Sequence, residues 1–75
     1  MADVEEVVIS SEYITLGQFL KLLKIVVTGG NSKDFLQRND VRVNGKRELR
    51  RGRKLYVGDE IFIGSLNKTL FRISK

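Results

Sequence analysis

The apolar residues of this chain change their spacing near residue 40, and that change most constrains the fold. Before it, Leu16, Phe19, Leu20 and Leu23 recur at the three- and four-residue intervals of a helix face. From Val41 onwards apolar and polar residues alternate, which is the period of a half-buried strand. We therefore predict an α+β domain, with two short helices packed on a small twisted antiparallel sheet.

The first helix has clear boundary signals. Thr15 is a good N-cap, and Gln18 three residues later completes the capping box that satisfies two backbone donors. The glycine pair at 29–30 permits a left-handed turn, so we expect the helix to end before residue 28.

A second, shorter helix is predicted to begin at Asn31 or Ser32 and to run to about Arg38. Phe35 and Leu36 are its expected buried residues. The polar residues between them remain available to water or to a ligand.

The strands are predicted from alternation and from turn residues. Asn44-Gly45 is a strong signal for a two-residue hairpin, because both turn positions need positive φ. We expect Val41 and Val43 to point to one face and Arg42 and Asn44 to the other. Further strands are predicted at 4–10, 55–57, 61–63 and 69–73, with a loop at 64–68.

The positive charge is concentrated in one segment. The chain has 14 Lys and Arg against 9 Asp and Glu, a formal charge of +5. Residues 42–54 contain seven bases and one acid, Glu48, whereas residues 1–20 contain four acids and no base. Such crowded like charges repel one another, so a polyanionic partner is a simpler explanation than a solvated face. We expect the acidic first strand to lie away from this segment.

Composition argues against an enzyme. The chain has no Cys and no His, which removes thiolate chemistry, disulfides and the commonest general base and zinc ligand. The carboxylates show no spacing typical of an acid–base pair or a metal site. Glu48 is expected to orient neighbouring arginines, and Asp59 is expected to serve a turn. We predict a protein without catalytic residues, metal or cofactor.

No targeting segment is expected. The amino end is acidic, unlike a signal peptide, and no apolar run is longer than that at 25–27, far below the roughly 20 residues of a membrane span. We therefore predict a cytoplasmic protein that has no membrane partner.

Nucleic acid is the polyanion that this basic segment favours. Arginine, which supplies five of the seven bases, presents a planar fork that matches phosphate. Tyr56 is the only ring close in sequence, and Phe62 and Phe71 are expected in the core. Stacking on unpaired bases is therefore expected to be minor, which favours structured nucleic acid over a single strand.

The order of these motifs resembles the alpha-L RNA-binding domain, the S-four family, over about residues 14–63. The residues that carry the resemblance are V-R-V-N-G at 41–45 and L-Y-V-G-D-E-I at 55–61. The stretches 15–18 and 50–59 are similar to the small stand-alone bacterial members of the YaaA type. Many members begin the first helix with Arg-Leu-Asp, where this chain has Thr-Leu-Gly at 15–17. The resemblance therefore assigns no RNA contact to residues 15–17.

The resemblance implies a fold of two helices on a small twisted sheet, with RNA bound against the second helix and the hairpin that follows it. By position it assigns RNA contacts to Lys33, Arg38, Arg42, Asn44, Lys46, Arg47, Arg50, Arg51, Arg53 and Lys54.

We therefore expect residues 1–75 to form a single monomeric domain that binds structured RNA, either ribosomal or transfer RNA, in a ribosome-associated role. Two alternatives use the same basic face. One is an adaptor that docks an acidic protein, and the other is a module that binds duplex DNA.

Overall fold

A computed structural model of the protein describes residues 4–26, 29–64 and 69–75. Within these ranges the chain forms two helices and seven strands, which confirms the predicted α+β class. The elements are β1 (Val4–Val8), β2 (Tyr13–Thr15), α1 (Leu16–Leu22), α2 (Gly29–Arg38), β3 (Val41–Val43), β4 (Lys46–Arg47), β5 (Lys54–Tyr56), β6 (Glu60–Ile63) and β7 (Thr69–Ser74). Neither helix is long and apolar enough to cross a membrane.

The strands form a five-stranded sheet in the order β1-β7-β6-β3-β4 and a separate ribbon of β2 and β5. All neighbouring strands are antiparallel except β1 and β7, so the sheet is mixed rather than purely antiparallel. Alternation alone does not encode strand direction, because a parallel and an antiparallel strand bury the same face. The acidic β1 and the basic β4 lie at opposite edges of the sheet, as expected.

The helices and one face of the sheet enclose a single apolar core. Val41 and Val43 are buried, whereas Arg42 and Asn44 are exposed, so the predicted alternation is confirmed. Phe71 is buried as predicted. Phe62 is only half-buried, because it lies between the buried residues of β6 and pairs in register with Arg42 and Leu70.

The amino end of α1 has the predicted capping box. Thr15 Oγ1 accepts a hydrogen bond from Gln18 N at 3.2 Å, and Gln18 Oε1 accepts one from Thr15 N at 2.9 Å. The apolar stripe also forms as predicted, because Leu16, Phe19 and Leu20 are fully buried.

The carboxyl end of α1 differs from the prediction. The helix ends at Leu22, and the left-handed residue after it is Lys24, with φ of 60°, rather than a glycine. Lys24 N donates to Lys21 O, and Ile25 N donates to Leu20 O, which are the two bonds of a Schellman motif. Ile25 then packs against the core, which explains why the chain turns here.

The second helix also begins earlier than predicted. It starts at Gly29, so the glycine pair belongs to its first turn instead of preceding it. Phe35 is half-buried and Leu36 is fully buried, as expected. Residues 27–28, which join the two helices, lie outside the described residues.

The hairpin between β3 and β4 has the predicted turn. Asn44 and Gly45 have φ of 52° and 86°, the left-handed values that a type I′ turn requires. Strand β7 confirms the prediction for 69–73. In the predicted loop at 64–68, only Gly64 lies among the described residues, where it forms a turn.

Candidate nucleic-acid interface

The segment between β4 and β5, residues 48–53, is here called the basic loop, and Glu48 organises it. Oε2 of Glu48 accepts hydrogen bonds from Leu49 N at 3.1 Å, Arg50 N at 3.0 Å and Arg50 Nε at 3.1 Å. Oε1 accepts one from Arg53 Nη1 at 3.0 Å. The expectation that Glu48 orients arginines is confirmed, and it also fixes the loop backbone.

Glu48 stays ionised although it is only 7 % exposed. The hydrogen bond from the Arg50 side chain is the main cause that lowers the pKa of Glu48 from its ordinary 4.5 to about 2. The Arg50 backbone and the Arg53 side chain lower this pKa further, whereas burial opposes the shift. The same ion pair raises the pKa of the Arg50 guanidinium.

This carboxylate gives folding stability a specific dependence on pH. Because the folded pKa is depressed, the stabilisation is complete above about pH 4.5 and is lost as the pH falls through about 2. We expect Glu48→Gln to reduce the free energy of unfolding at neutral pH by up to about 3 kcal/mol. The difference from the wild type should shrink towards pH 2, which urea denaturation at a series of pH values would measure. A difference that is equal at every pH would contradict this assignment.

The basic loop is attached to the amino end of α1. Leu16 N donates to Arg53 O and Gly17 N donates to Arg51 O, both at 2.8 Å. A Cβ atom on Gly17 would lie 3.3 Å from Arg51 O and 3.6 Å from Ser32 Oγ. Gly17 therefore allows the loop, α1 and α2 to approach one another closely. It occupies the position where this chain departs from the Arg-Leu-Asp pattern.

The hairpin places two arginines directly opposite each other. Arg42 and Arg47 are Cα partners in register, where like charges repel. Arg42 Nε pairs with Asp40 Oδ1 at 3.1 Å, and Arg47 Nη2 donates to Asn39 O at 3.4 Å. These contacts reduce the repulsion and connect the hairpin to the end of α2.

The predicted bases on α2 are exposed. Arg38 pairs with Asp34 at 3.1 Å, and both side chains are mostly in water, so the pair contributes little to stability. Among the described residues, Lys33 on α2 and Lys46 on β4 have no ion-pair partner within 4.0 Å.

The side chain of Asn44 is used inside the fold. Its Nδ2 donates to Asp59 Oδ1 at 3.1 Å, and its Oδ1 accepts from Glu60 N at 3.0 Å. Asp59 Oδ2 also accepts from Tyr56 N at 2.8 Å, which confirms the expected turn role of Asp59. Asn44 therefore joins the hairpin turn to the β5–β6 turn, a structural role that the prediction did not include.

Two aromatic rings meet beside the basic loop, and only Tyr56 is close to it in sequence. Tyr13 and Tyr56 are directly opposite each other in the β2–β5 ribbon, with ring centroids 5.7 Å apart. Lys54 Nζ lies 4.8 Å from the Tyr13 centroid. Tyr13 was missed because its partner strand is distant in sequence and β2 has only three residues.

Lys21 is a further base that the predictions left out. It lines a groove with Thr15, Gly17, Gln18, Arg51 and Gly52, between α1 and the basic loop. Lys21 lies outside the apolar stripe of α1, and this is the sequence signal that indicates an exposed base there.

Comparison with known proteins agrees with this arrangement. Residues 7–73 match the S4 domain family. The chain is also 54% identical, over 55 residues, to a protein of Bacillus subtilis (strain 168) named "Probable ribosome maturation protein RlbA". That similarity covers 73% of this chain and 78% of the relative. A capped helix, a second helix and the basic hairpin thus occur here within a recognised domain, and the chain belongs to the S4 domain family.

Proposed function

We propose that this protein binds structured RNA, ribosomal or transfer RNA, without catalysing a reaction. The observation that carries the proposal is a basic surface whose loop is hydrogen-bonded to the fold. Seven bases lie within residues 42–54, and Glu48 together with the amino end of α1 bonds to the backbone of three of them, Arg50, Arg51 and Arg53. Ordered arginines bind phosphate at a lower entropic cost than mobile ones.

The distribution of charge supports RNA on this side of the molecule. The described acids of β1, Glu5 and Glu6, lie on the sheet edge opposite β4. The side chain of Arg50 is 77 % exposed although it is paired with Glu48, so its outer edge remains available to phosphate. Charges at the far edge are largely screened at physiological salt.

Membership of the S4 domain family and the name of the relative support a ribosomal particle as the source of the RNA. We place the protein in the cytoplasm, where it acts as a single monomeric domain. The proposed phosphate contacts are Lys33, Arg38, Arg42, Lys46, Arg47, Arg50, Arg51, Arg53 and Lys54. Asn44, assigned to RNA by resemblance, also fixes the turn that carries them, and its contact with RNA stays a prediction.

The proposal predicts a steep dependence of RNA affinity on salt, because each neutralised phosphate releases counterions. Replacing Arg50, Arg51 and Arg53 together by alanine should flatten the logarithmic slope by about one unit per lost contact. Affinity for a ribosomal RNA helix, measured between about 50 and 200 mM salt, provides the test.

A charge-matched control instead replaces Lys24 by glycine, because its φ is 60°, and Arg72 and Lys75 by alanine. The Arg72–Glu60 pair that this breaks is exposed and contributes little to stability. Lys24 follows the carboxyl end of α1, and the other two lie on or after β7. Binding that does not depend on salt, or equal slopes for the two triple variants, would contradict the proposal.

The alternatives predict different results. A complex with an acidic protein should survive complete digestion of RNA and DNA, whereas the proposed complex should not. Competition between A-form RNA and B-form DNA at matched salt distinguishes RNA from duplex DNA, because phosphate attraction alone does not discriminate between them.

A further inference from the structure

The phosphate contacts proposed above make no use of the tyrosine pair beside the basic loop. We propose that Tyr56, supported by Tyr13, stacks on one unpaired base of the RNA whose phosphates the basic loop holds. This inference rests on the proposed function and adds to it a preference for RNA with a bulged or looped-out base.

The ribbon of β2 and β5 explains why both rings face outwards. Tyr13 pairs with Tyr56, and Ile14 pairs with Leu55, which is fully buried. Since side chains alternate along a strand, burial of Leu55 directs the tyrosines to the opposite face. Tyr13 and Tyr56 are 38 % and 45 % exposed, so part of each ring is open to a ligand.

The rings are already held in place. Lys54 covers Tyr13, and the backbone of Tyr56 is fixed by its bond to Asp59. The Tyr13 ring lies against Tyr56 at an interplanar angle of 46° and so limits the movement of Tyr56. A base that stacks on Tyr56 therefore orders little of the protein, which favours affinity.

The groove in front of Tyr56 combines the chemical groups that a nucleotide needs. It has a volume of about 530 Å³ and is lined by Arg50, Gly52, Arg53, Lys54 and Tyr56. Cations suit the phosphate, and the ring suits the face of the base. A Cβ atom on Gly52 would meet nothing within 4 Å, so the groove is open at that residue.

Within a structured RNA, only an unpaired base fits this chemistry. A fully paired RNA helix presents phosphates and base edges, but its base faces are stacked on one another. An exposed ring next to three cations gains stacking energy only when a base leaves the helix.

The test uses an RNA hairpin that carries a single bulged 2-aminopurine, whose fluorescence falls when it stacks, and the same hairpin with that base paired. The protein contains no Trp, so the emission reports the probe. We expect quenching on the bulged RNA with the wild type and with Tyr56→Phe, which keeps the ring. Tyr56→Leu should lose the quenching and bind the bulged RNA roughly 5- to 150-fold more weakly. Its affinity for the paired hairpin should be unchanged.

Val57→Ala is the control, because it shortens a neighbouring exposed apolar side chain without removing a ring. Equal weakening of both RNAs by Tyr56→Leu would show a structural role and overturn the inference. Equal wild-type affinity for both RNAs, without quenching, would also overturn it but leave RNA binding intact. If neither RNA binds, the proposed function fails as well.

A free nucleotide has the same chemistry as a base within RNA. It lacks, however, the neighbouring phosphates that the other basic residues of the basic loop would hold. Free 2-aminopurine riboside monophosphate, titrated over the same concentrations, should therefore show no quenching. Quenching as strong as that of the bulged hairpin would assign the groove to free nucleotides and overturn the inference.

Discussion

Phe19→Ala is expected to remove a large share of the stability of this protein. Phe19 is fully buried and packs edge-on against Phe71 of β7, with centroids 5.6 Å apart. Truncating a buried Phe to Ala costs about 3–5 kcal/mol, from lost transfer energy and the cavity left behind. A domain of 75 residues has about 4–11 kcal/mol of stability in total. One side chain therefore accounts for a large share of the free energy of unfolding.

Urea denaturation followed by circular dichroism measures this loss. Leu22→Ala is the matched control, because Leu22 lies on the same helix but is 56 % exposed. We expect it to change the free energy of unfolding by less than about 0.5 kcal/mol. Similar losses in the two variants would mean that α1 is not held to the sheet through Phe19.

The elements that sequence analysis predicted well are those determined by near neighbours. The capping box joins Thr15 to Gln18, and the type I′ turn depends on Asn44 and Gly45 alone. Both are set by side-chain and backbone chemistry within a few residues. The concentration of basic residues in one segment is likewise explicit in the sequence, because it does not depend on tertiary contacts.

Features that depend on distant partners were not predictable. The end of α1 shows this, because Lys24 adopts a left-handed conformation that a glycine was expected to supply. The packing of Ile25 against the core accompanies that turn, and such packing is a tertiary property. The parallel pairing of β1 with β7 also joins the two ends of the chain, which alternation does not encode.

The candidate site divides in the same way. The number and positions of its basic residues are evident from the sequence. The contacts that hold the basic loop in one conformation are only partly predictable from it. The tyrosine pair and the docking of the basic loop on Gly17 both depend on a ribbon formed by residues far apart in sequence. Asn44 shows the opposite limit, because the resemblance assigned it to RNA by position, whereas its bonds within the fold are visible only in the structure.

Glu48→Gln separates two explanations of RNA binding, because they predict changes of opposite sign. The variant raises the formal charge from +5 to +6, so binding by net charge alone should tighten. If binding instead requires an ordered loop, it should weaken, since Arg50 and Arg53 lose the carboxylate that fixes them. Immobilising a long side chain costs about 0.5–1.5 kcal/mol, hence roughly 1–3 kcal/mol for two arginines. One added charge in water is worth about 1 kcal/mol at 4 Å, and salt reduces this.

Order should therefore outweigh charge, and we expect Glu48→Gln to weaken RNA binding by roughly 5- to 150-fold at physiological salt. Asp34→Asn is the matched control, because it adds the same charge and releases Arg38 from an exposed pair on α2. Its affinity should be equal to or slightly tighter than that of the wild type. Both affinities are measured by titration of one labelled RNA at a temperature where circular dichroism shows each variant to be folded. If both variants bind RNA more tightly to the same extent, Glu48 only lowers the positive charge of the surface. In that case the RNA does not recognise the ordered loop.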